Sequence, residues 1–186
     1  MYTGDHKTAK LSQTLITDAL LTLLETVPFA DISVSRLCQQ AQVSRQTFYS
    51  LFGTKENVLL HALETSCCFE PAAQAGCRSA CFKAFCKGYS HFVLENRHLL
   101  TLLVRNDMMH LLYEVQYARS MACDHFMPDV TGDDRVYLID FIASGMNSIA
   151  KNFVLSGGQA DEAFLERLMY RLFGGMYFIS RPQEAT

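Results

Sequence analysis

Apolar side chains return at Leu11, Leu15, Ala19, Leu23 and Leu24, a spacing that lines one side of a helix over about 7–26, and Pro28 ends it. A shorter pattern follows. Ser33 is a side-chain acceptor set just before Val34, Leu37, Cys38 and Ala41, which predicts an N-capped helix running to Ala41. Ser44, after Val43, caps a second helix whose buried side is Phe48, Leu51 and Phe52, with Arg45, Gln46, Thr47 and Tyr49 on its other faces. Helices of about two turns do not stand alone in water, so packing must hold them. The pair is joined at Gln42, and Cys38, a small residue four before that turn, lets the two axes cross closely; this is the layout of a helix-turn-helix. A left-handed turn residue is expected at Gln42, where a Cβ costs about 1 kcal/mol.

Beyond this head the pattern stays helical. A helix from about Thr54 carries Val58, Leu59, Ala62 and Leu63 toward Phe69, and Pro71 with Gly76 breaks it. Further helices are expected over 79–95, 97–104, 107–125, 134–155 and 160–180, separated by Asn96, Asn106, Pro128 with Gly132, and Gly157 with Gly158. No strand-like alternation, repeat or low-complexity segment interrupts them. The expected fold is all-α, with a helix-turn-helix head over 1–53 and a helical body over 54–186. The last two helices each carry an apolar stripe: Ile139, Ile142, Ala143, Met146, Ile149, Ala150 and Phe153 on one, Leu165, Leu168, Met169, Leu172, Phe173 and Met176 on the other. Residue by residue, burial within the subunit is the simpler reading of both. Gly145, Gly174 and Gly175 either permit close backbone approach there or merely weaken the helices.

The run Ser33, Val34, Leu37, Cys38, Ala41, Val43, Ser44, Thr47, Phe48, Tyr49, Phe52, Lys55 and Glu56 resembles the N-terminal signature of the tetracycline-repressor (TetR) family of one-component bacterial regulators. Its most specific part is V-S-R-Q-T-F-Y-x-x-F-x-x-K-E, from Val43 to Glu56. The departures are Gln42 for the usual glycine, Gln46 where a small residue is commoner, and Leu51 where a polar residue or histidine often sits. The resemblance implies a regulator, in the usual mode a repressor, bound as a dimer to a (pseudo)palindromic double-stranded DNA operator and released by a small-molecule effector. The helix starts at Ser33 and Ser44, the Tyr49 hydroxyl and Lys55 are the expected phosphate contacts, because backbone N–H groups at helix starts favour anions. Arg45, Gln46 and Thr47 are the expected base readers, arginine suiting guanine and glutamine suiting adenine. Pairing of the last two helices with those of a second subunit would place Met146, Ile149, Phe153, Leu165, Met169, Leu172 and Phe173 in the homodimer interface, and two heads double the length of DNA that is read.

The resemblance also implies an effector cavity inside this ligand-binding and dimerisation body, expected among Phe85, Tyr89, Met108, Tyr113, Tyr117 and Phe141, where aromatics and methionine with few polar atoms would suit a weakly polar small molecule. The helix from Thr54 is the expected single route from that cavity to the recognition helix.

Composition modifies this picture in three places. Hydrophobic residues make up 49% of the 186, enough for a sizeable core, and no apolar run approaches the roughly 20 residues that span a bilayer, so the protein is expected to be cytoplasmic with no membrane partner. Through Leu60, Lys7, Lys10, Arg36, Arg45 and Lys55 are balanced by Asp5, Asp18, Glu25, Asp31 and Glu56, so attraction to DNA must come from where charges sit. Seven cysteines form no disulfide framework. Cys67, Cys68, Cys77, Cys81 and Cys86 near His91 could hold a soft metal or sense thiols, but without a C-x-x-C knuckle packing is the better reading. The histidines come with no H-E-x-x-H, G-x-S-x-G or phosphate-loop motif, so no enzyme, cofactor or metal is expected. The remaining alternative is a helical protein that binds a partner or small molecule with a head that no longer reads DNA.

Overall fold

A computed structural model describes residues 6–66, 78–123, 126–127 and 130–177. The described residues form helices α1 (His6–Leu24), α2 (Val34–Ala41), α3 (Arg45–Leu51), α4 (Lys55–Ser66), α5 (Arg78–Glu95), α6 (Arg97–Arg105), α7 (Met109–Ala122), α8 (Gly132–Leu155) and α9 (Glu162–Tyr177), with one 3-10 turn at Phe29–Asp31 and no strand. The fold is all-α.

The head is built as its pattern requires, apart from one shifted stripe. Ser33 Oγ accepts from the Arg36 N–H at 3.2 Å and Ser44 Oγ from the Thr47 N–H at 3.0 Å, so both caps are made. At the junction Gln42 is left-handed (φ 54°, ψ 39°), the Val43 N–H donates to the Cys38 carbonyl at 3.0 Å and the Gln42 N–H to the Gln39 carbonyl at 3.2 Å; together they form a Schellman cap without glycine. Gln42→Gly is therefore expected to raise the free energy of unfolding by up to about 1 kcal/mol, offset in part by the freer unfolded chain. Urea denaturation measures it, and a clear loss of stability would show that the Gln42 side chain is needed where it stands. In α1, Ile16 and Leu20 are fully buried beside Ala19, Leu23 and Leu24, whereas Leu11 and Leu15 are 60% and 41% exposed. The stripe turns inward only where α2, α3, α4 and α6 supply a surface to meet it.

The body packs α5 against α9, α7 against α8, and α6 against α5, α7 and α8. Arg135, near the start of α8, holds the α7–α8 connection from within: its guanidinium donates to the carbonyls of Phe126 (2.7 Å), Cys123 (3.0 Å) and Ser120 (3.2 Å), capping the carbonyl end of α7. α4 packs on α1 on one side and α7 on the other, and one continuous apolar core runs through head and body. The two also share a polar bond away from α4. The Phe29 N–H donates to Asn106 Oδ1 at 2.8 Å, while the Asn106 amide nitrogen caps α6 by donating to the Leu102 carbonyl at 2.8 Å. Head and body are thus joined by a second contact besides α4, where the sequence had led to α4 as the single connection. The C-terminus of α6 grips the turn that leads into α2.

Candidate nucleic-acid interface

α3 anchors itself with Phe48, fully buried, and Phe52, 8% exposed, whose rings stand 6.4 Å apart. With these two inside, Arg45, Gln46, Tyr49 and Ser50 are exposed on the outward faces, Tyr49 at 57%. The Tyr49 ring meets Phe48 edge-on at 5.3 Å, which fixes the direction of its hydroxyl. Thr47 is half-buried, and its hydroxyl shares a 2.8 Å hydrogen bond with Ser44 Oγ. It belongs to the cap, and the polar tips free to meet a base edge at the start of α3 are those of Arg45 and Gln46.

Lys55 is placed differently from a free surface cation. Its ammonium donates to the carbonyls of Phe29 (2.8 Å) and Ile32 (2.5 Å) and lies 4.4 Å from the centre of the Phe29 ring. An ammonium has three N–H donors, so one is left beyond these two bonds. The same turn is held by Lys55 from α4 and by Asn106 from α6, and this joins the α2–α3 layer to the body. Arg36, an exposed cation in the first turn of α2, was not among the sequence candidates; its signal was a basic residue three after the Ser33 cap. Asn106 left no sequence signal, because its partner lies 77 residues away.

The formally neutral head sorts its charges by place. Glu25 stands 3.5 Å from His98 of α6, and Asp18 lines a groove of about 370 Å³ with His61, Glu95 and His98. Two of its carboxylates therefore sit at the junction with the body, while Arg36 and Arg45 are exposed on α2 and α3.

In the body, Phe85, Tyr89 and Met108 are buried and Tyr113 with Tyr117 half-buried, the last two rings stacked at 5.9 Å. The Tyr113 hydroxyl donates to the Asp140 carboxylate, and that bond, with the negative charge beside it, pushes the phenol up to about 12. Phe141 does not join this group. It is 60% exposed, because Ile139 and Ile142 take the inward face of α8 and residue 141 falls outside it. Of the expected interface residues, Met146, Ile149, Phe153, Leu165, Met169 and Phe173 are at most 8% exposed within their own subunit; only Leu172, at 51%, points outward. The stripes legible in the sequence close α8 and α9 onto the subunit's own core. Gly145 seats the Phe173 ring, to which a Cβ there would come within 2.8 Å, while Gly174 meets only ordinary contacts and Gly175 faces open space.

A second apolar face lies outside the first. Phe141, Ser148, Asn152, Leu155, Phe164, Leu168 and Leu172 edge a groove of about 770 Å³ between α8 and α9, with Ile149, Phe153, Leu165 and Phe173 of the expected interface on its floor, and Phe164 is 48% exposed there. Of the thiols, Cys67, Cys68 and Cys77 and the side chain of Cys81 lie outside the described residues. Cys86 is fully buried, and desolvation, helped by the Glu166 charge, pushes it up to about 12, which keeps it a protonated, inert thiol at neutral pH. Among the described residues no three His, Cys, Asp or Glu side chains are grouped to hold a metal ion, and no helix is long and apolar enough to cross a membrane.

Residues 16–62, from α1 into α4, match the family described as bacterial regulatory proteins, tetR family. The whole described fold recurs in solved structures of low sequence identity. A protein of Listeria innocua superposes with a TM-score of 0.76 at 18% identity, over 95% of this chain and 96% of that one. A TetR-family regulator of Streptomyces coelicolor A3 gives 0.70 at 18% identity, over 95% and 99%. NalD of Pseudomonas aeruginosa, the secondary repressor of the MexAB-OprM multidrug efflux pump, gives 0.59 at 14% identity, over 89% and 94%. No curated protein matches by sequence.

Proposed function

We propose that this TetR-family transcriptional regulator, a DNA-binding protein by its helix-turn-helix head, represses from a two-fold operator as a homodimer and lets go when a small molecule occupies the core of its body. The observation that carries the reading is α3: its apolar side is buried to the last ring while Arg45, Gln46 and Tyr49 are left exposed on a capped helix start. A helix of that kind enters a major groove with its N-terminal side chains against base edges. Arg45 and Gln46 read bases; Ser33, Ser44, Tyr49, Arg36 and the remaining N–H of Lys55 hold phosphates.

The outer groove between α8 and α9 takes the same face of a second subunit, since a self-complementary apolar surface is what a two-fold dimer buries. The units are a head over 1–53 and a body over 54–186, with α4 packed on both. An effector in the core among Phe85, Tyr89 and Met108 acts through the two junctions, α4 and the Asn106 bond to Phe29. A ligand that favours one arrangement of these changes the spacing of two heads that must fit grooves about 34 Å apart, and a coupling of about 1 to 3 kcal/mol is ordinary for such a switch. By reciprocity, operator DNA weakens the effector by the same factor.

Selection of bound duplexes from a random pool tests the head. The wild type is expected to enrich a two-fold consensus, and Gln46→Ala to lose its preference at one position per half-site, worth about 1 to 3 kcal/mol there. If the wild type enriches nothing, the head does not read DNA. Transcription from a template carrying the selected site then separates repression from activation.

A further inference from the structure

Buried polar groups meet where α5, α7 and α8 converge. The Tyr89 hydroxyl donates to the Met146 carbonyl at 2.6 Å, and the Gln116 amide nitrogen donates to the Tyr89 oxygen at 3.1 Å. Gln116 is 5% exposed, and its Oε1 has no hydrogen-bond partner. A phenol carries one proton, and Tyr89 gives it to Met146; its oxygen can then only accept, so Gln116 must turn its NH₂ toward it. That fixes which way round the amide sits. The group left over is therefore an acceptor, not a donor, and a buried acceptor without a partner is unfavourable enough to mark a place where something else binds.

The surroundings describe the rest of that partner. Phe85, one turn before Tyr89, packs on Phe126 at 5.2 Å, and Tyr89 stacks on Phe92 at 5.8 Å. Among the described residues the polar side chains buried as a whole are Ser90 and Gln116, and Ser90 Oγ already donates to the Cys86 carbonyl at 2.8 Å; Thr17 Oγ1 on α1 and Asn147 Oδ1 on α8 are likewise buried atoms without a hydrogen-bond partner, but on half-buried residues. Neither is a cation. Arg135, half-buried, has its guanidinium committed to the carbonyls that end α7. Among the described residues a carboxylate brought here would be desolvated with no buried cation free to pair with it.

We infer that Gln116 determines effector specificity by accepting a hydrogen bond from a neutral ligand that carries one hydroxyl or N–H on an apolar frame, with Tyr89 holding the amide in the accepting orientation. This rests on the reading of the body core as the effector site. The class is that of phenols, indoles and apolar alcohols, as against fatty acids or other organic anions.

The test titrates the full-length protein by calorimetry with one- and two-ring phenols and indoles, each paired with its O-methyl or N-methyl analogue, and with the carboxylates that match the phenols. The wild type is expected to bind each donor about tenfold more tightly than its methylated partner, the worth of one net hydrogen bond, and the carboxylates most weakly. Gln116→Leu is expected to abolish the preference while keeping or raising the melting temperature of the free protein, because the unmatched oxygen is gone. In Tyr89→Phe the amide is free to turn over, so the methylated analogues should approach the donors in affinity. A purely structural role for the pair would lower stability without equalising them. Equal binding of donor and methylated ligand by the wild type, a preference that survives Gln116→Leu, or a clear loss of melting temperature in Gln116→Leu overturns the assignment. If no member of the panel binds the wild type, the core effector site falls with it.

Discussion

Leu172→Glu is expected to leave the subunit folded, split the proposed dimer and lower operator affinity about a hundred- to ten-thousand-fold, because a second head held close multiplies binding by that order. Leu172 is 51% exposed, on the rim of the groove between α8 and α9 that also carries Phe164 at 48% and Phe141 at 60%. In the isolated subunit a carboxylate there points to water and costs little. Between two subunits it would be buried without a partner, which costs several kcal/mol. Met169→Glu is the contrasting variant: Met169 is 0% exposed, so the charge enters the subunit's own core and should unfold it. Sedimentation equilibrium separates the two, with circular dichroism to show that the Leu172 variant keeps its helices. A Leu172→Glu protein that remains a dimer would move the interface off this face.

Lys55→Ala is expected to act twice, lowering the free energy of unfolding by about 2 to 3 kcal/mol and weakening DNA on all sequences alike. The first effect comes from the Phe29 and Ile32 carbonyls, which lose a charge-assisted donor in a half-buried site, and from the Phe29 ring, which loses the cation 4.4 Å from its centre. The second comes from the third N–H, proposed above as a phosphate contact, which would carry no sequence information. Lys55→Met keeps the stem and removes the charge, so it should retain part of the stability and none of the phosphate contact. Urea denaturation and binding to several duplexes of different sequence measure the two effects separately. Affinity lost on a few half-site variants alone would make Lys55 a base reader, and unchanged stability would remove it from the brace.

The helix-turn-helix was legible because its determinants are local. Ser33 and Ser44 cap helices a few residues downstream, Cys38 and Phe48 are small and large where the crossing needs them, and the left-handed turn falls on Gln42 even without glycine. Helix boundaries that fall within the described residues followed from glycines, Asn96, Asn106 and the 3.6-residue period to within a few residues, with α7 ending at Ala122 rather than beyond it, while the breaks expected at Pro71 with Gly76 and at Pro128 and the end expected at Ser180 lie outside the described residues. The single turn at Phe29–Asp31 was not legible, since it is held by Lys55 and Asn106 from distant helices.

The sequence by itself determined that this chain is helical throughout its described length and which residues are apolar and periodic; it also determined the two caps of a DNA-reading head, since period and capping act within a turn or two of the chain. Only the tertiary structure decided which neighbour each stripe faces. A helix with apolar residues on more than one side gives no sign of which side meets its own subunit: Met146 and Met169 lie in the core away from the groove, Ile149, Phe153, Leu165 and Phe173 are buried between that core and the floor of the outer groove, and Leu172, Phe164 and Phe141 stand exposed on its rim. Likewise, nothing local to Gln116 says that its amide meets a tyrosine on another helix. That orientation follows from one proton on Tyr89 and the Met146 carbonyl that takes it, groups that only the packing of α5, α7 and α8 brings together.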